Sequence, residues 1–282
     1  MENKRICAVT MLRKDDFFLE KWVTYYGGRL GRENLYIYFD GDDQEIPAFC
    51  GGCNTSLQPK IKAANVVQLE KARLAFLSDR AAELLASGYD MVIGVDVDEF
   101  LIPDPQCGMG LAEFLSHNAG TSVCLSGLGI DVGENLRCET DLLEDRPILE
   151  QRSYALLCTR YTKPSVITAP VRWGRGFHRV KGHNYRIVPN LYLFHFGSCS
   201  LRRTKIRLDI GSKVLNSSER HLHKRAFTIN IVSTAKVHDW EKTISYARRI
   251  QSWFRPVYAW NKPSMLGRLI VVRIPARFRE TV

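Results

Sequence analysis

Three acidic residues that directly follow an apolar stretch are the residues whose types and spacing most clearly suggest chemistry. Residues 92–95 read Val-Ile-Gly-Val, which is typical of a buried strand, and Asp96, Asp98 and Glu99 follow. Because side chains alternate along a strand, we expect Asp96 and Asp98 to share a face. Two neighbouring carboxylates repel each other unless a positive charge lies between them, and a divalent cation meets that need. The alternative is a solvated acidic turn, since D-x-D triplets are common.

The elements that must position these acids alternate between strand-like and helix-like sequence. We predict strands at residues 6–11, 34–39, 66–69 and 92–95, and helices at residues 15–26 and 71–87, the first of them ended by Gly27 and Gly28. This β-α-β order predicts an α/β fold, with a mostly parallel, Rossmann-like sheet flanked by helices. Such sheets bind ligands at the carboxyl ends of their strands, where the acids lie. Residues 127–152 read as polar and irregular, and residues 236–254 as helical.

Composition places the chain among ordinary globular proteins. Of its 282 residues 45% are apolar and 25% charged, and no apolar run approaches the ~18 residues of a membrane span. The N-terminal residues lead straight into a strand without a signal peptide, so we expect a cytoplasmic protein. The cysteines are scattered, and the C-x-x-C formed by Cys50 and Cys53 lacks the second pair that a zinc ribbon needs.

The net charge of +10 is concentrated after about residue 170. Basic surface attracts phosphate, nucleic acid or anionic lipid. The sequence contains no zinc finger, no RNA-binding sheet motif and no repeated aromatic–basic interleaving, so we expect no nucleic-acid partner. Phosphorylated substrates, or peripheral contact with an anionic membrane at the inner face of the cell membrane, fit the charge better.

An ordered series of motifs resembles a known family. The resemblance covers roughly residues 5–200, and its motifs lie at residues 13–16, 22–26, 35–40, 89–101, 147–152, 161–164, 173–178 and 191–196, with a weaker one at 272–278. Together they are similar to the start of a GT-A-type glycosyltransferase of the bacterial glycosyltransferase family 2-like group with a D-x-D-E-F motif. The resemblance implies a GT-A catalytic domain at 1–200, with a nucleotide-sugar half at 1–101 and an acceptor half at 102–200. Residues 201–282 are then a basic helical extension packed on it.

The resemblance also implies a reaction. A sugar moves from a nucleotide-sugar, with a UDP-sugar favoured, to a hydroxyl of a glycan or glycolipid acceptor in surface glycan (lipopolysaccharide or capsule) biosynthesis, with inversion. Mn²⁺ or Mg²⁺ neutralises the leaving diphosphate as a Lewis acid. Asp98 binds the metal directly, Asp96 binds it directly or through water or contacts the ribose, and His195 completes the site. The alternatives are a salt-bridged structural role for Glu99 and a core role for His195.

The donor nucleotide is expected at the edge of the sheet that carries Asp96. The candidates are Thr10 and Arg13 at the end of the first strand and Asp40 at the end of the second. Asp40 has a competing interpretation as a turn acid. Arg73 and Arg80 lie seven residues apart and share a helix face, from which one of them is expected to reach the diphosphate unless both are solvated helix charges.

The acceptor side is less closely specified. An inverting enzyme needs a carboxylate to deprotonate the acceptor hydroxyl. Asp131 is slightly favoured because of its place after a strand and a glycine-rich turn, and the Glu144–Asp145 pair matches an E-D pair common in the family. Trp173 is expected to stack on an acceptor sugar, with core packing as the alternative. His178 is expected to bind the acceptor beside it, and it is also the other candidate for the histidine of the metal site.

Two other functions remain open at this stage. A nucleotidyltransferase shares the sheet architecture, but such enzymes usually carry a glycine-rich loop after the first strand, and residues 10–14 contain no glycine. A non-catalytic membrane-associated protein would use the basic C-terminal region on anionic lipid.

Overall fold

The computed structural model describes residues 4–212, 218–253 and 262–282 of the chain, with no side-chain description for residues 207–225. Its first half is a parallel sheet flanked by two long helices. The elements in order are β1 (Ile6–Leu12), α1 (Asp16–Leu30), β2 (Leu35–Asp40), β3 (Asn54–Gln58), α2 (Val66–Ala86) and β4 (Met91–Gly94). Strands β3, β2, β1 and β4 are neighbours in that order and all run parallel, so their carboxyl ends share one edge. Every residue of β1 is buried, as expected for a central strand covered on both faces.

The second half extends the same sheet with mixed pairing. It comprises β5 (Glu99–Pro103), α3 (Leu111–Asn118), β6 (Cys124–Gly133), α4 (Ile148–Gln151), β7 (Tyr154–Leu157), β8 (Val166–Ile167), β9 (Arg186–Ser198), α5 (Leu201–Ser212), α6 (Ser218–Thr234), β10 (Val237–His238), α7 (Trp240–Trp253) and β11 (Val271–Arg273). Beyond β4 the order is β8, β6, β7, β11 and β10, and β9 pairs with both β5 and β6. The predicted α/β class, with a mostly parallel sheet that is flanked by helices and compatible with a Rossmann-like fold, is confirmed, and the sheet also contains antiparallel pairs.

Three predicted elements are wrong in detail. The third strand is β3, whereas residues 66–69 begin α2, because the Asn65 side chain accepts a hydrogen bond from the Gln68 amide and caps that helix. Helix α1 continues through Gly27 and Gly28 and ends at Leu30, just before Gly31, whose positive φ of +87° favours glycine. Residues 127–133, predicted to be irregular, belong to the fully buried strand β6.

The residues after 200 contribute to the sheet as well as to helices. Strand β11 pairs antiparallel with β7, and β10 pairs parallel with β11. The side chain of Thr228 on α6 reaches Asp131 on β6, as described below. Across the three described ranges, no helix combines the length and apolar character needed to cross a bilayer.

Candidate active site

The acids that follow β4 lie in a tight turn between two strands. Strand β4 ends at Gly94 and β5 starts at Glu99, whose amide donates to the carbonyl of Asp96 at 3.0 Å. The Asp96 amide donates to the Glu99 carboxylate at 3.2 Å. Strand alternation therefore stops before Asp96, and the expectation that Asp96 and Asp98 share a strand face is wrong. Each of the two carboxylates has its own set of partners.

Asp96 and Glu99 share a buried lysine. The Lys163 ammonium lies 2.6 Å from Glu99 and 3.7 Å from Asp96, and it donates to the Gly176 carbonyl at 3.1 Å. Its side chain is only 1% exposed, so the positive charge is almost fully withdrawn from water. Burying a charge is costly unless it is paired and hydrogen-bonded, and the two carboxylates and the carbonyl meet that condition. Glu99 thus has the salt-bridged structural role named above as its alternative.

Arg73 of α2 supplies a second cation to Asp96. Its guanidinium lies 2.7 Å from Asp96 and also pairs with Glu70 at 3.0 Å, one turn earlier in the helix. Burial favours the protonated form of Asp96, but the charges of Arg73 and Lys163 outweigh it and lower the pKa of Asp96. Glu99 behaves in the opposite way, because burial prevails over Lys163 and raises the pKa of Glu99 to about 7.

Asp98 faces a histidine that is itself held by a second carboxylate. Residue pairing across the sheet sets this arrangement, since His195 of β9 lies opposite Glu99 on one side and Asp131 on the other. The Nε2 atom of His195 lies 3.6 Å from Asp98 Oδ2, and its Nδ1 atom lies 2.7 Å from Asp131 Oδ1. The Tyr161 ring stacks on the imidazole with 3.8 Å between centroids. The ring is therefore fixed in position and orientation.

Asp131 is fully engaged in this arrangement. Its second oxygen accepts a hydrogen bond from the Thr228 hydroxyl at 2.7 Å, and its side chain is 2% exposed. Burial disfavours the imidazolium of His195, but the carboxylates of Asp98 and Asp131 outweigh it and raise the pKa of His195 to about 9. The geometry therefore favours a role for Asp131 in orienting His195. A general base must reach an acceptor hydroxyl, and both Asp131 oxygens are already occupied.

The chemistry of Asp98 and His195 fits a divalent cation. Two ligands bound at about 2.1 Å from one metal lie roughly 3–3.5 Å apart, close to the separation of Asp98 Oδ2 and His195 Nε2. Metal-binding histidines usually donate their other ring nitrogen to a carboxylate, as His195 does to Asp131. Asp96 is already paired with Arg73 and Lys163. Among the described residues, no three His, Cys, Asp or Glu side chains form a complete ligand set, so further ligands would come from substrate phosphate and water.

Trp173 and His178, the two residues expected at the acceptor sugar, lie beside this cluster, but Trp173 is buried. Trp173 is in the core, where its indole donates to the Pro164 carbonyl at 2.9 Å and packs on Phe177. Sugar stacking on Trp173 is therefore wrong, because its ring faces are covered by protein. His178 follows a short turn beside Lys163, and burial together with the charges of Lys163 and Lys262 lowers the pKa of His178 to about 3.

The residues expected at the donor nucleotide surround the carboxyl ends of β1 and β2. Thr10 is fully buried, and its hydroxyl has no hydrogen-bond partner within the described ranges. Arg13 is paired with both oxygens of Asp43 at 2.7 and 2.6 Å and donates to the Asp40 carbonyl. The Asp40 carboxylate accepts from the Ile61 amide at 2.8 Å, which supports its interpretation as a turn acid.

Three candidates lie apart from the cluster. Arg80 pairs with Glu83 and lines a groove with Tyr36, Tyr38 and Phe76, so of the two helix arginines only Arg73 reaches Asp96. Arg73 and Arg80 lie on the same side of α2. Their seven-residue spacing separates them by about 10 Å along the helix axis, at a rise of about 1.5 Å per residue. Glu144 pairs with Arg202 and Arg203.

Asp145 is an exposed neighbour of Glu144, and neither residue contacts Asp98 or His195. Their candidacy as the base thus gains no support from the geometry. Three residues at the centre of the cluster were not identified as site residues from the sequence: Lys163, Tyr161 and Thr228. The available signal for Tyr161 and Lys163 was the motif at residues 161–164, which comes shortly before the buried strand β8.

Comparison with known proteins identifies no family for this chain. No protein-family model matches the chain, and no curated protein matches it significantly.

Proposed function

We propose that the protein is a metal-dependent glycosyltransferase of GT-A type that transfers a sugar from a nucleotide-sugar to an acceptor hydroxyl of a surface glycan. The observation that carries the proposal is the approach of Asp98 Oδ2 to His195 Nε2 at 3.6 Å, with His195 held from behind by Asp131. This pair lies at the carboxyl edge of a parallel half-sheet, where α/β folds bind nucleotides.

Each residue of the cluster has a distinct task in this proposal. Asp98 and His195 hold the divalent cation, which neutralises charge on the leaving diphosphate. Asp131 keeps the Nδ1 proton of His195 in place, so that Nε2 faces Asp98. Arg73 and Lys163 fix Asp96 at the start of the turn, where its partly exposed carboxylate is available to the ribose or to a metal-bound water.

The proposal is tested by calorimetric titration of UDP, and then GDP, with and without Mn²⁺. We expect binding that requires the metal and that is lost in Asp98→Ala. Asp141→Ala is the matched control, since Asp141 is an exposed carboxylate outside the cluster. Metal-independent binding, or equal binding by Asp98→Ala and wild type, would contradict the proposed metal site. Turnover with sugar nucleotides and isolated surface glycan then separates transfer from simple nucleotide binding.

A further inference from the structure

One long stretch of the chain is free of acidic residues. Between Glu150 and Asp209 the sequence contains no Asp or Glu but twelve Lys or Arg. Lys163 lies within it and is neutralised by acids from another part of the chain. Arg152, Arg172, Arg202 and Arg203 also pair with acids from outside the stretch. The charge of a cation without such a pair must be balanced by solvent ions or by a ligand.

Four cations from this stretch and its surroundings gather at one place, which we call the cationic rim: Arg160, Arg175, Arg179 and Lys262. Arg175 and Arg179 flank a single turn, in which the Gly174 amide donates to the Arg179 carbonyl at 2.8 Å. The ring of His178 in that turn hydrogen-bonds to the backbone of Arg160. The three arginines are exposed, Arg160 hydrogen-bonds to Tyr161 through its side chain, and none of the four rim residues forms a salt bridge with another residue whose side chain the structure describes.

The cationic rim adjoins the acidic cluster directly. The turn that carries Arg175 and Arg179 supplies the Gly176 carbonyl that binds Lys163 at 3.1 Å. Arg160 precedes Tyr161, whose ring stacks on His195. An anion at the rim would therefore lie beside the proposed reaction centre rather than at a remote surface.

Like charges lie close together in the rim, although burial at Arg160 is outweighed by Cys158, Tyr161 and Asp131, which raise the pKa of Arg160. Burial and then the charges of Arg179, Arg175 and Arg160 together lower the pKa of Lys262. Like charges gathered at an exposed place cost free energy that a bound anion relieves, and arginine forks match phosphate and carboxylate oxygens in geometry.

We propose that the cationic rim binds a phosphate or carboxylate group on the acceptor, so that the acceptor of this enzyme is an anionic glycan. This inference rests on the proposed function. Arg160, Arg175 and Arg179 follow β7 and β8, within the residues 102–200 that the proposed function assigns to the acceptor, whereas Thr10 and Arg13 lie at the end of β1. The turn that carries Arg175 and Arg179 also packs on α2, where the Arg73 guanidinium lies 5.7 Å from the Phe177 ring, so the test must separate acceptor binding from donor binding.

The test uses the full chain with UDP and Mg²⁺ present, and titrates glucose 6-phosphate, glucuronate and glucose by calorimetry. We expect the two anionic sugars to bind at least about tenfold more tightly than glucose, as charge-assisted contacts to arginine would give. Arg175→Glu/Arg179→Glu should remove that preference. Lys236→Glu/Arg279→Glu, which makes the same charge change at two exposed positions elsewhere, should retain it.

Titration of UDP against the same variants distinguishes the acceptor from the donor as the source of the anion. Unchanged UDP binding in Arg175→Glu/Arg179→Glu supports an acceptor role, whereas weakened UDP binding overturns it, because the rim would then serve the donor diphosphate. Equal affinity for glucose and its 6-phosphate also overturns the inference. Arg175→Gln/Arg179→Gln provides a milder variant if charge reversal prevents folding.

The failure of this inference is distinguishable from failure of the proposed function. If UDP binds with metal but the sugars show no charge preference, the inference fails and the proposed function stands. If UDP does not bind the wild type, the proposed function fails and the acceptor assignment falls with it.

Discussion

The exchange Asp131→Asn separates the two roles that a buried carboxylate beside His195 can have. Asparagine keeps the shape of the side chain, so one oxygen still accepts from His195 Nδ1 and the new amide faces the Thr228 hydroxyl; both contacts are 2.7 Å in the wild type. What disappears is the negative charge behind the imidazole. Loss of such a partner of a metal-bound histidine typically lowers metal affinity by about 10–100-fold, or about 1.4–2.7 kcal/mol. We expect a loss of this size in the Mn²⁺ concentration that supports half-maximal UDP binding.

The same variant tests Asp131 as the general base. If Asp131 deprotonates the acceptor, Asp131→Asn abolishes turnover but leaves the Mn²⁺ dependence of UDP binding as in the wild type, and the positioning role assigned here is refuted. Glu144→Gln and Asp145→Asn serve as controls, since both side chains are exposed and neither contacts His195. We expect wild-type metal dependence from both. Thermal unfolding of each variant shows whether a change in binding reflects a change in stability.

Three further substitutions test the packing and charges around the cluster. Gly94→Ala places a methyl group 2.7 Å from the Trp173 ring, and we expect a loss of about 1–3 kcal/mol in urea unfolding; wild-type stability would contradict this close packing. Lys163→Met leaves Glu99 buried without its cation and should cost about 3–5 kcal/mol, part of which Lys163→Met/Glu99→Gln should restore; a fully stable single variant would be the contrary result. The pKa of His178 is about 3 in the folded protein, so on acidification His178 is protonated in the unfolded chain first, and stability falls as the pH drops below about 6.5. In His178→Gln we expect the loss of stability between pH 7 and pH 5 to be smaller by roughly 2 kcal/mol. A loss equal to that of the wild type would contradict the assignment.

Much of the parallel half of the fold follows from local sequence. The β-branched run before Asp96 and the apolar spacing of α1 and α2 specify elements through periods that a sequence shows directly. The error at residues 66–69 has a local cause, since Val66 and its neighbours fit either a strand or the first turn of a helix. The cap formed by Asn65 and Gln68 decides between them.

The composition of the candidate site depends on contacts that no local pattern contains. His195 meets Asp131 because β6 and β9 are paired in a particular register, and Thr228 arrives from a helix 97 residues further along than Asp131. Lys163 pairs with Glu99 across 64 residues of sequence, and a lysine between a threonine and a proline is ordinarily exposed. Register and tertiary pairing therefore determine which acids act together.

The charges of the cluster balance one another without a metal ion. Asp96 and Asp98 need no cation between them, because Arg73 and Lys163 already neutralise Asp96, and an imidazolium at His195 faces Asp98. The folded protein therefore has its own counter-charges, and metal binding must displace the His195 proton instead of filling a charge deficit.

We accordingly expect chelation by EDTA to leave the unfolding temperature unchanged. Excess Mn²⁺ should raise the unfolding temperature because it binds preferentially to the folded state, and Mn²⁺ together with UDP should raise it further. Asp98→Ala should lose the Mn²⁺ effect. A fall of several degrees on chelation would instead show that the carboxylates depend on a resident metal for stability, and the charge balance inferred from Lys163, Arg73 and His195 would be wrong.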